Sequence, residues 1–136
     1  MSAEERKQEL ALYRIKQAYE SLDEAKFLMK GGKSVRSVIN RLYYSMFYAI
    51  LGLLVFEEYS SSKHSGVLSY FNRHFVKGKI FSEDYGRAVN RTFEMRNRGD
   101  YREFVELSVE ETAALLNTAE RFINEVERHL ISERFK

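Results

Sequence analysis

Apolar residues recur along this 136-residue chain at the alternating three- and four-residue spacing of amphipathic helices. The first such stripe begins after the capping-box pattern Ser2-x-x-Glu5, in which each residue can satisfy a backbone amide of the other. It ends before Gly31-Gly32, a pair that suits a helix C-terminus because glycine adopts the left-handed conformation at little cost. The pattern therefore predicts a first helix over residues 3–30.

The same periodicity predicts four more helices, over residues 35–58, 63–76, 82–99 and onward from residue 108. The second helix carries two adjacent apolar stripes that cover nearly half of its circumference, so we expect it to be central. Ser62 is expected to cap the third helix, and Ser108-x-x-Glu111 predicts the start of the fifth. Short connections make successive helices antiparallel neighbours. The predicted fold is all-α, an up-and-down four-helix bundle with one additional short helix, formed by residues 1–136 as a single domain.

One arc of the second helix combines tyrosine, arginine and small residues, and at helical spacing it lies opposite the apolar stripes. The arc consists of Arg41, Tyr44, Ser45, Tyr48 and Gly52. The sequence holds ten phenylalanines and nine tyrosines, which is more than the interior of such a bundle needs, and tyrosine is common at protein interfaces. We therefore expect this arc to contribute to a homodimer interface.

The composition excludes several classes of protein. The sequence contains no proline, so nothing interrupts long helices, and no cysteine, which excludes disulfides and suits a cytoplasmic location. The charged N-terminus predicts no secretory signal, and the longest apolar run, residues 46–56, is shorter than the ~18 residues of a membrane span. No zinc signature, Glu-x-x-His pair or glycine-rich phosphate loop is present, so we expect neither a metal nor a cofactor.

Basic residues concentrate in the middle of the chain. Residues 63–102 hold nine lysines and arginines against four acidic residues, whereas residues 103–136 hold four against eight. This asymmetry indicates either an anionic partner for one face or mutual neutralisation of the two segments within the fold. On the fourth helix, one ridge mixes three arginines with a glutamate, which suits a phosphate backbone or, as is commoner, a solvated and self-neutralised face. Its residues are Arg87, Arg91, Glu94 and Arg98.

Arg96 has the most informative position in the sequence. It lies on the same helical stripe as Val89 and Thr92, which is otherwise the inward, apolar face of the fourth helix. An arginine cannot lose its charge, so it must find partners there. It can pair with Asp100 at the i+4 position as a structural contact, or it can present its fork of donors to a phosphate. The spacing alone leaves both interpretations open.

His64 is predicted to lie in the first turn of the third helix, on the same side as its apolar residues. A half-buried structural histidine fits this position. Beside Lys63 at the positive end of a helix, its pKa is expected to move downward. A neutral imidazole of this kind could also serve as a base.

Three short segments stand in a recognisable order. They are Asn40-Arg41-x-Tyr43-Tyr44-x-x-Phe47-Tyr48, Ser62-Lys63-His64-Ser65-Gly66-Val67 and Arg96-x-x-x-Asp100-Tyr101. Together they resemble the HEPN domain, and more specifically its small stand-alone branch, UPF0332. The resemblance implies an all-α bundle of four to five helices that dimerises. It also implies a partner, because family members often accompany a minimal nucleotidyltransferase, frequently as a toxin–antitoxin pair.

The resemblance also bears on catalysis. The active HEPN branches are metal-independent ribonucleases, whose signature is an arginine followed after four to six residues by a histidine, in a cleft between two protomers. Arg96 matches the arginine, but Tyr101, Arg102 and Glu103 occupy the positions of the histidine. A neutral tyrosine, with a pKa near 10, is a poor general base at neutral pH. Enzymatic activity is therefore left undecided.

The leading hypothesis is a cytoplasmic HEPN homodimer that binds RNA or a nucleotide near Arg96, Asp100 and Tyr101. Arg96 would hold a phosphate, and Tyr101 would stack on a base or donate a hydrogen bond. Side chains of the second helix would line or support this cleft, namely Asn40, Arg41 and Tyr44. One alternative is a non-catalytic interaction module, in which Arg96 and Asp100 form a structural pair and the basic face docks the nucleotidyltransferase. The other is a divergent ribonuclease that uses Asp100 or His64 as its base.

Overall fold

The computed structural model describes residues 1–98 and 107–135 of the chain, and within them it contains five α-helices and no strand. The helices are α1 (Ala3–Lys30), α2 (Val35–Leu54), α3 (His64–Phe71), α4 (Glu83–Arg98) and α5 (Val109–Glu133). α3 continues as a short π-helix over Asn72–Val76. The predicted all-α fold is confirmed, with the helices in the predicted order. Gly99, which was expected to end the fourth helix, lies outside the described residues.

Serine caps fix the starts of the two longest helices. The Oγ atoms of Ser2 and Ser108 each accept a hydrogen bond from the backbone amide three residues later, at 3.1 Å in α1 and 3.0 Å in α5. The backbone amide of each serine in turn donates to the carboxylate of the glutamate at that position, so both predicted capping boxes form. At the other end of α1, Gly32 adopts a φ of 67°, which most other residues adopt only with strain.

α2 is the central helix, as its two apolar stripes predicted. It packs against α1, α4 and α5, and its pairing with α1 is the most extensive within the described residues. Its almost fully buried side chains include Ile39, Leu42, Met46 and Ile50. Burial of each such side chain contributes about 1.5–3 kcal/mol to folding, so α2 supplies much of the interior. None of the described helices, α2 included, is both long and apolar enough to cross a membrane.

Two predicted helix boundaries are wrong. α2 ends at Leu54 rather than residue 58, because the backbone amides of Phe56 and Glu57 bond to carbonyls three residues back instead of four. The Glu57 side chain also contacts α3, where its Oε1 accepts a hydrogen bond from the Tyr70 hydroxyl at 2.9 Å. Ser62 does not cap α3. The cap position belongs to Lys63, whose backbone amide donates to Ser61 Oγ at 3.1 Å.

The arc of α2 that was expected to lie opposite the core is only partly outside it. Gly52 is buried against α1, where a Cβ atom at this position would lie 3.6 Å from the carbonyl oxygen of Ala11. Ser45 is fully buried, with its hydroxyl donating to a backbone carbonyl of its own helix. The small residues of the arc therefore serve close packing. Its three large residues are half-buried and remain available to a site, namely Arg41, Tyr44 and Tyr48.

Candidate functional site

Arg96 lies at the C-terminal end of α4, on a face that is otherwise inside the protein. Tyr85, Val89 and Thr92, which precede it on that face, are 7%, 0% and 0% exposed. This confirms the inward stripe predicted from the spacing. The Arg96 side chain is half-buried and reaches α2, where its Nη2 donates a hydrogen bond to the Tyr44 hydroxyl at 2.7 Å.

Aromatic rings surround the Arg96 guanidinium. Its central carbon lies 5.4 Å from the ring centroid of Tyr43 and 5.0 Å from that of Tyr44, which is within the range of cation–π attraction. Its Nη1 donates to Asn97 Oδ1 at 3.3 Å. No carboxylate among the described residues forms an ion pair with Arg96. Neutral groups of the described part of the chain therefore orient this guanidinium and leave its positive charge in place.

Arg96 also lines a cavity of about 460 Å³, at the end of the bundle where α1 and α4 finish and α2 begins. The polar side chains of the cavity are Arg36, Ser37, Asn40, Arg41 and Arg96, and its apolar side chains are Leu28 and Ile39. Three guanidinium groups thus share one concave space. A guanidinium group can present two parallel N–H donors to an oxyanion.

Arg41 is held in the cavity wall by its neighbours. Its Nε and Nη2 donate to Asn40 Oδ1 at 3.3 and 2.9 Å, and its guanidinium lies 5.2 Å from the ring centroid of Tyr44. Its Nη1 is 3.7 Å from a carboxylate oxygen of Glu24, whose side chain is 58% exposed. An exposed ion pair is worth about 1 kcal/mol or less. An incoming anion can therefore compete with Glu24 for the charge of Arg41.

His64 reaches the same neighbourhood from α3. Its Nδ1 lies 2.7 Å from the hydroxyl of the fully buried Tyr43, and its ring stacks on Phe47 with centroids 4.1 Å apart. Burial lowers the pKa of His64 below 6.5, and the nearby charge of Arg96 lowers it further. The predicted direction is confirmed, although the causes are burial and Arg96 rather than Lys63. The sequence could not show that His64 lies close to Arg96, because the two residues are far apart along the chain.

The structure brings five of the predicted site residues into one group, made of Asn40, Arg41, Tyr44, His64 and Arg96. Asp100 and Tyr101 lie outside the described residues, so binding or catalysis by them stays a prediction. The sequence analysis did not single out Arg36, Ser37 or Tyr43. The first two could have been found, because at helical spacing Arg36 and Ser37 share one face of α2 with Asn40 and Arg41.

Two arginines of the outer ridge of α4, Arg87 and Arg91, have acidic partners. Arg87 pairs with Glu83 at 3.5 Å and also contacts Asp84, and Arg91 lies 3.5 Å from the carboxylate of Glu111. These two arginines are neutralised as the second interpretation expected, but by carboxylates outside the ridge rather than by Glu94 alone. The cavity at Arg96 is therefore the better candidate for binding an anion.

The fold and the cavity together define a class of protein, an all-α helical bundle with a group of arginines at one end. The chain belongs to the HEPN domain family, whose domain description matches residues 11–129. This match confirms the family resemblance that the three sequence segments indicated. It covers all the described residues of the candidate site.

Relatives of this chain carry two kinds of name. A UPF0332 protein of Thermotoga maritima is 41% identical over 122 residues, which cover 90% of this chain and 92% of the relative. Two proteins of Methanocaldococcus jannaschii are named "Putative toxin MJ0142" and "Putative toxin MJ0605". The former is 35% identical over 70% of this chain and 65% of its own length, and the latter is 30% identical over 85% of each.

Proposed function

We propose that this chain is a HEPN protein of the toxin–antitoxin type that binds phosphate groups of RNA or a nucleotide in the cavity formed by Arg36, Arg41 and Arg96. The observation that carries this proposal is the convergence of three guanidinium groups on one cavity of about 460 Å³. Phosphate suits such an arrangement because it offers several oxygens to fork-shaped donors. The volume falls within the range of about 300–1,000 Å³ that is usual for ligand pockets.

The remaining lining of the cavity fits a nucleotide better than a bare anion. Ser37 and Asn40 add neutral hydrogen-bonding groups next to the guanidinium groups. Leu28 and Ile39 supply an apolar side on which a ribose or a base edge can pack. Ligand sites commonly combine a few placed polar groups with an apolar wall of this kind.

Binding of 5′-AMP, measured by isothermal titration calorimetry, tests the cavity. Arg36→Gln and Arg41→Gln are each expected to weaken binding at least tenfold, because charge-assisted hydrogen bonds contribute about 1.5–3 kcal/mol. Arg121→Gln is the matched control, since Arg121 is exposed on α5 and does not line the cavity. Binding that is equally strong in the wild type, the two cavity variants and the control would contradict the proposal.

We also propose that the protein forms a homodimer in the cytoplasm and pairs with a minimal nucleotidyltransferase. The toxin names of two relatives support a protein that is controlled by a partner, and the family resemblance points to that class of partner. Sedimentation should show a species of about twice 16.1 kDa, and co-expression with a neighbouring nucleotidyltransferase gene should yield a complex. A complex that forms without any nucleotide binding by the chain would favour the interaction-module alternative.

His64 favours a second candidate function, metal-independent cleavage of RNA. Its lowered pKa keeps the imidazole neutral at neutral pH. In the tautomer whose Nδ1–H donates to Tyr43, Nε2 can take the proton of a ribose 2′-hydroxyl while Arg96 stabilises the charge on the phosphate. The 2′-oxygen would then bond to phosphorus, and the 5′-oxygen would leave with the proton returned by the imidazolium.

Incubation with a 12-nucleotide single-stranded RNA tests this second candidate. The expected products carry a 2′,3′-cyclic phosphate and a 5′-hydroxyl, and His64→Gln and Arg96→Ala should abolish their formation. His74→Gln is the control, because His74 is exposed and stacks on Tyr70, outside the Arg96 group. Cleavage by the wild type at the rate of the His64→Gln variant would rule out this role for His64.

A further inference from the structure

A second concavity, of about 770 Å³, lies between α4 and α3 with its π-helical continuation. We infer that this groove holds the chain of a single-stranded RNA beyond the phosphate bound at Arg96, so that the ligand is an oligonucleotide rather than a mononucleotide. This inference rests on the proposed function of the cavity and extends it. The polar residues that line the groove are Ser65, Ser69, Asn72, Arg73, Lys77 and Asn90.

The groove begins where the Arg96 group ends. Ser65, at one end of the groove, directly follows His64 in the chain. Phe93, which also lines the groove, precedes Arg96 by about one helical turn, and its ring centroid lies 5.6 Å from that of Tyr43. One end of the groove therefore lies next to the Arg96 group, so an RNA strand that passes Arg96 can enter the groove.

The charge of the groove suits a polyanion. Arg73 and Lys77 are exposed at its edge, and neither forms an ion pair with a described residue. The described residues that line the groove include no acidic side chain. Glu83 lines an adjoining depression together with Lys77, but it is paired with Arg87 at 3.5 Å. Cations without carboxylate partners, interspersed with hydroxyl and amide groups, are typical of surfaces that follow a nucleic-acid backbone.

The floor of the groove is fixed before any ligand binds. The Nδ2 atom of Asn72 donates to the carbonyl of Leu68 at 2.9 Å and to Oδ1 of Asn90 at 3.1 Å, and so joins the π-helical segment to α4. Gly86 makes room for this contact, since a Cβ atom there would lie 2.6 Å from Asn72 Oδ1. A fixed floor lowers the ordering cost of binding an extended strand.

The length of the groove sets the expected size of the ligand. Residues 65–77 span 12 helical steps, or about 18 Å at ~1.5 Å per residue. That distance corresponds to about five nucleotides at the ~3.4 Å spacing of one stacked strand. Single-stranded RNA is also the form whose bases can reach an aromatic side chain such as Phe93.

Fluorescence anisotropy with a labelled 12-nucleotide single-stranded RNA tests the groove, with 5′-AMP as the short ligand. Arg73→Gln/Lys77→Gln is expected to weaken RNA binding at least fivefold at 50 mM salt and to leave 5′-AMP binding unchanged. The slope of log K against log salt should fall in magnitude by about 1.4, since each phosphate contact on a single strand contributes about 0.7. The control Lys16→Gln/Arg121→Gln removes the same charge from exposed positions on α1 and α5.

The outcomes distinguish a failure of the groove inference from a failure of the cavity proposal. An equal loss of RNA binding in the groove variant and the control, or wild-type affinity for 5′-AMP as high as for the 12-nucleotide RNA, would overturn the groove inference. If Arg36→Gln leaves the binding of both ligands unchanged while the groove variant weakens RNA binding, the cavity proposal is contradicted instead. Stronger binding of an acidic peptide than of RNA to the groove would also overturn the inference, because it would assign the groove to a protein partner.

Discussion

At the residue scale, the contact of Arg96 with two tyrosine rings has two effects. It holds the guanidinium on a face whose other residues are buried, because the π-systems attract the cation while one hydroxyl accepts a hydrogen bond. It also leaves several of the five N–H donors of the arginine for a ligand. Tyr44 is therefore a positioning residue for Arg96.

Tyr44→Phe removes the hydroxyl that accepts from Arg96 and keeps the ring. We expect the free energy of unfolding to fall by about 1 kcal/mol, the usual value of such a hydrogen bond, and 5′-AMP binding to weaken because Arg96 is less well oriented. Tyr48→Phe is the matched control, since the Tyr48 hydroxyl has no hydrogen-bond partner in the described part of the chain. Urea denaturation and calorimetry give the two values. Equal effects of both substitutions would remove the role assigned to Tyr44.

The lowered pKa of His64 links stability to pH. In the unfolded chain the imidazole titrates near 6.5, whereas burial and Arg96 lower its pKa in the folded state. Between these two values the unfolded state binds more protons, so the free energy of unfolding falls as the pH drops below about 6.5. His129 acts in the same direction, because burial lowers its pKa as well.

Urea denaturation at pH 7.5, 6.0 and 5.0 measures this dependence. The wild type should lose stability across the series, and His64→Gln should lose less. His74→Gln, a change at an exposed position, should follow the wild type. A His64→Gln variant with the full wild-type dependence would show that the imidazole does not cause it.

At the element scale, the contact between the π-helical segment and α4 depends on one glycine. In most exposed or loosely packed helix positions, replacing glycine by alanine gains up to about 1 kcal/mol of helix propensity. At Gly86 the new methyl group would collide with Asn72 and disturb its hydrogen bond to Asn90. At Gly52 the nearest atoms lie 3.6 Å away, an ordinary contact distance.

Gly86→Ala is therefore expected to lower the melting temperature, whereas Gly52→Ala should leave it unchanged or raise it. The cost at Gly86 is about 0.5–1.5 kcal/mol, the usual net value of a hydrogen bond that is lost, because the contact of Asn72 with Asn90 is solvent-exposed. Calorimetric melting of both variants gives the comparison. If the two substitutions shift the melting temperature equally, Asn72 does not constrain the position of α4.

Local patterns predicted most of the helices and their caps, because periodicity and capping depend on neighbours in sequence. The end of α2 was not predictable, since it depends on Glu57 accepting from Tyr70 and Arg134, the second of these 77 residues away. The arrangement of the site was likewise predictable only in part. The inward position of Arg96 followed from spacing, whereas its contacts with Tyr43 and Tyr44 and its closeness to His64 arise only when three helices pack.

At the scale of the whole molecule, the described structure shows part of the predicted mutual neutralisation of the basic and acidic segments. Acidic residues of α5 neutralise cations of other helices, as Glu111 does for Arg91 at 3.5 Å and Glu120 for Lys26 at 2.5 Å. Arg96 and the two cations of the α3–α4 groove, Arg73 and Lys77, have no carboxylate partner within the described residues. The charge of these three side chains is therefore available to an anionic ligand.

The extensive packing of α1 on α2 has a consequence for folding kinetics. The two helices are consecutive and joined by a short turn at Gly31-Gly32, so their contacts are local and close only a small loop. The contacts of α5 with α1 and α2 join distant parts of the chain. We therefore expect the α1–α2 hairpin to be formed in the folding transition state and α5 to dock after it.

Leu22→Ala on α1 and Leu130→Ala on α5 make the same change at two side chains that are each 1% exposed. Both should cost about 2–5 kcal/mol of stability. Stopped-flow chevrons should show slower refolding for Leu22→Ala and mainly faster unfolding for Leu130→Ala; the reverse pattern would place α5 in the nucleus instead. In the expected order, the part of the basic cavity that α1 and α2 form takes shape early, Arg96 joins it when α4 packs, and α5 completes the molecule last.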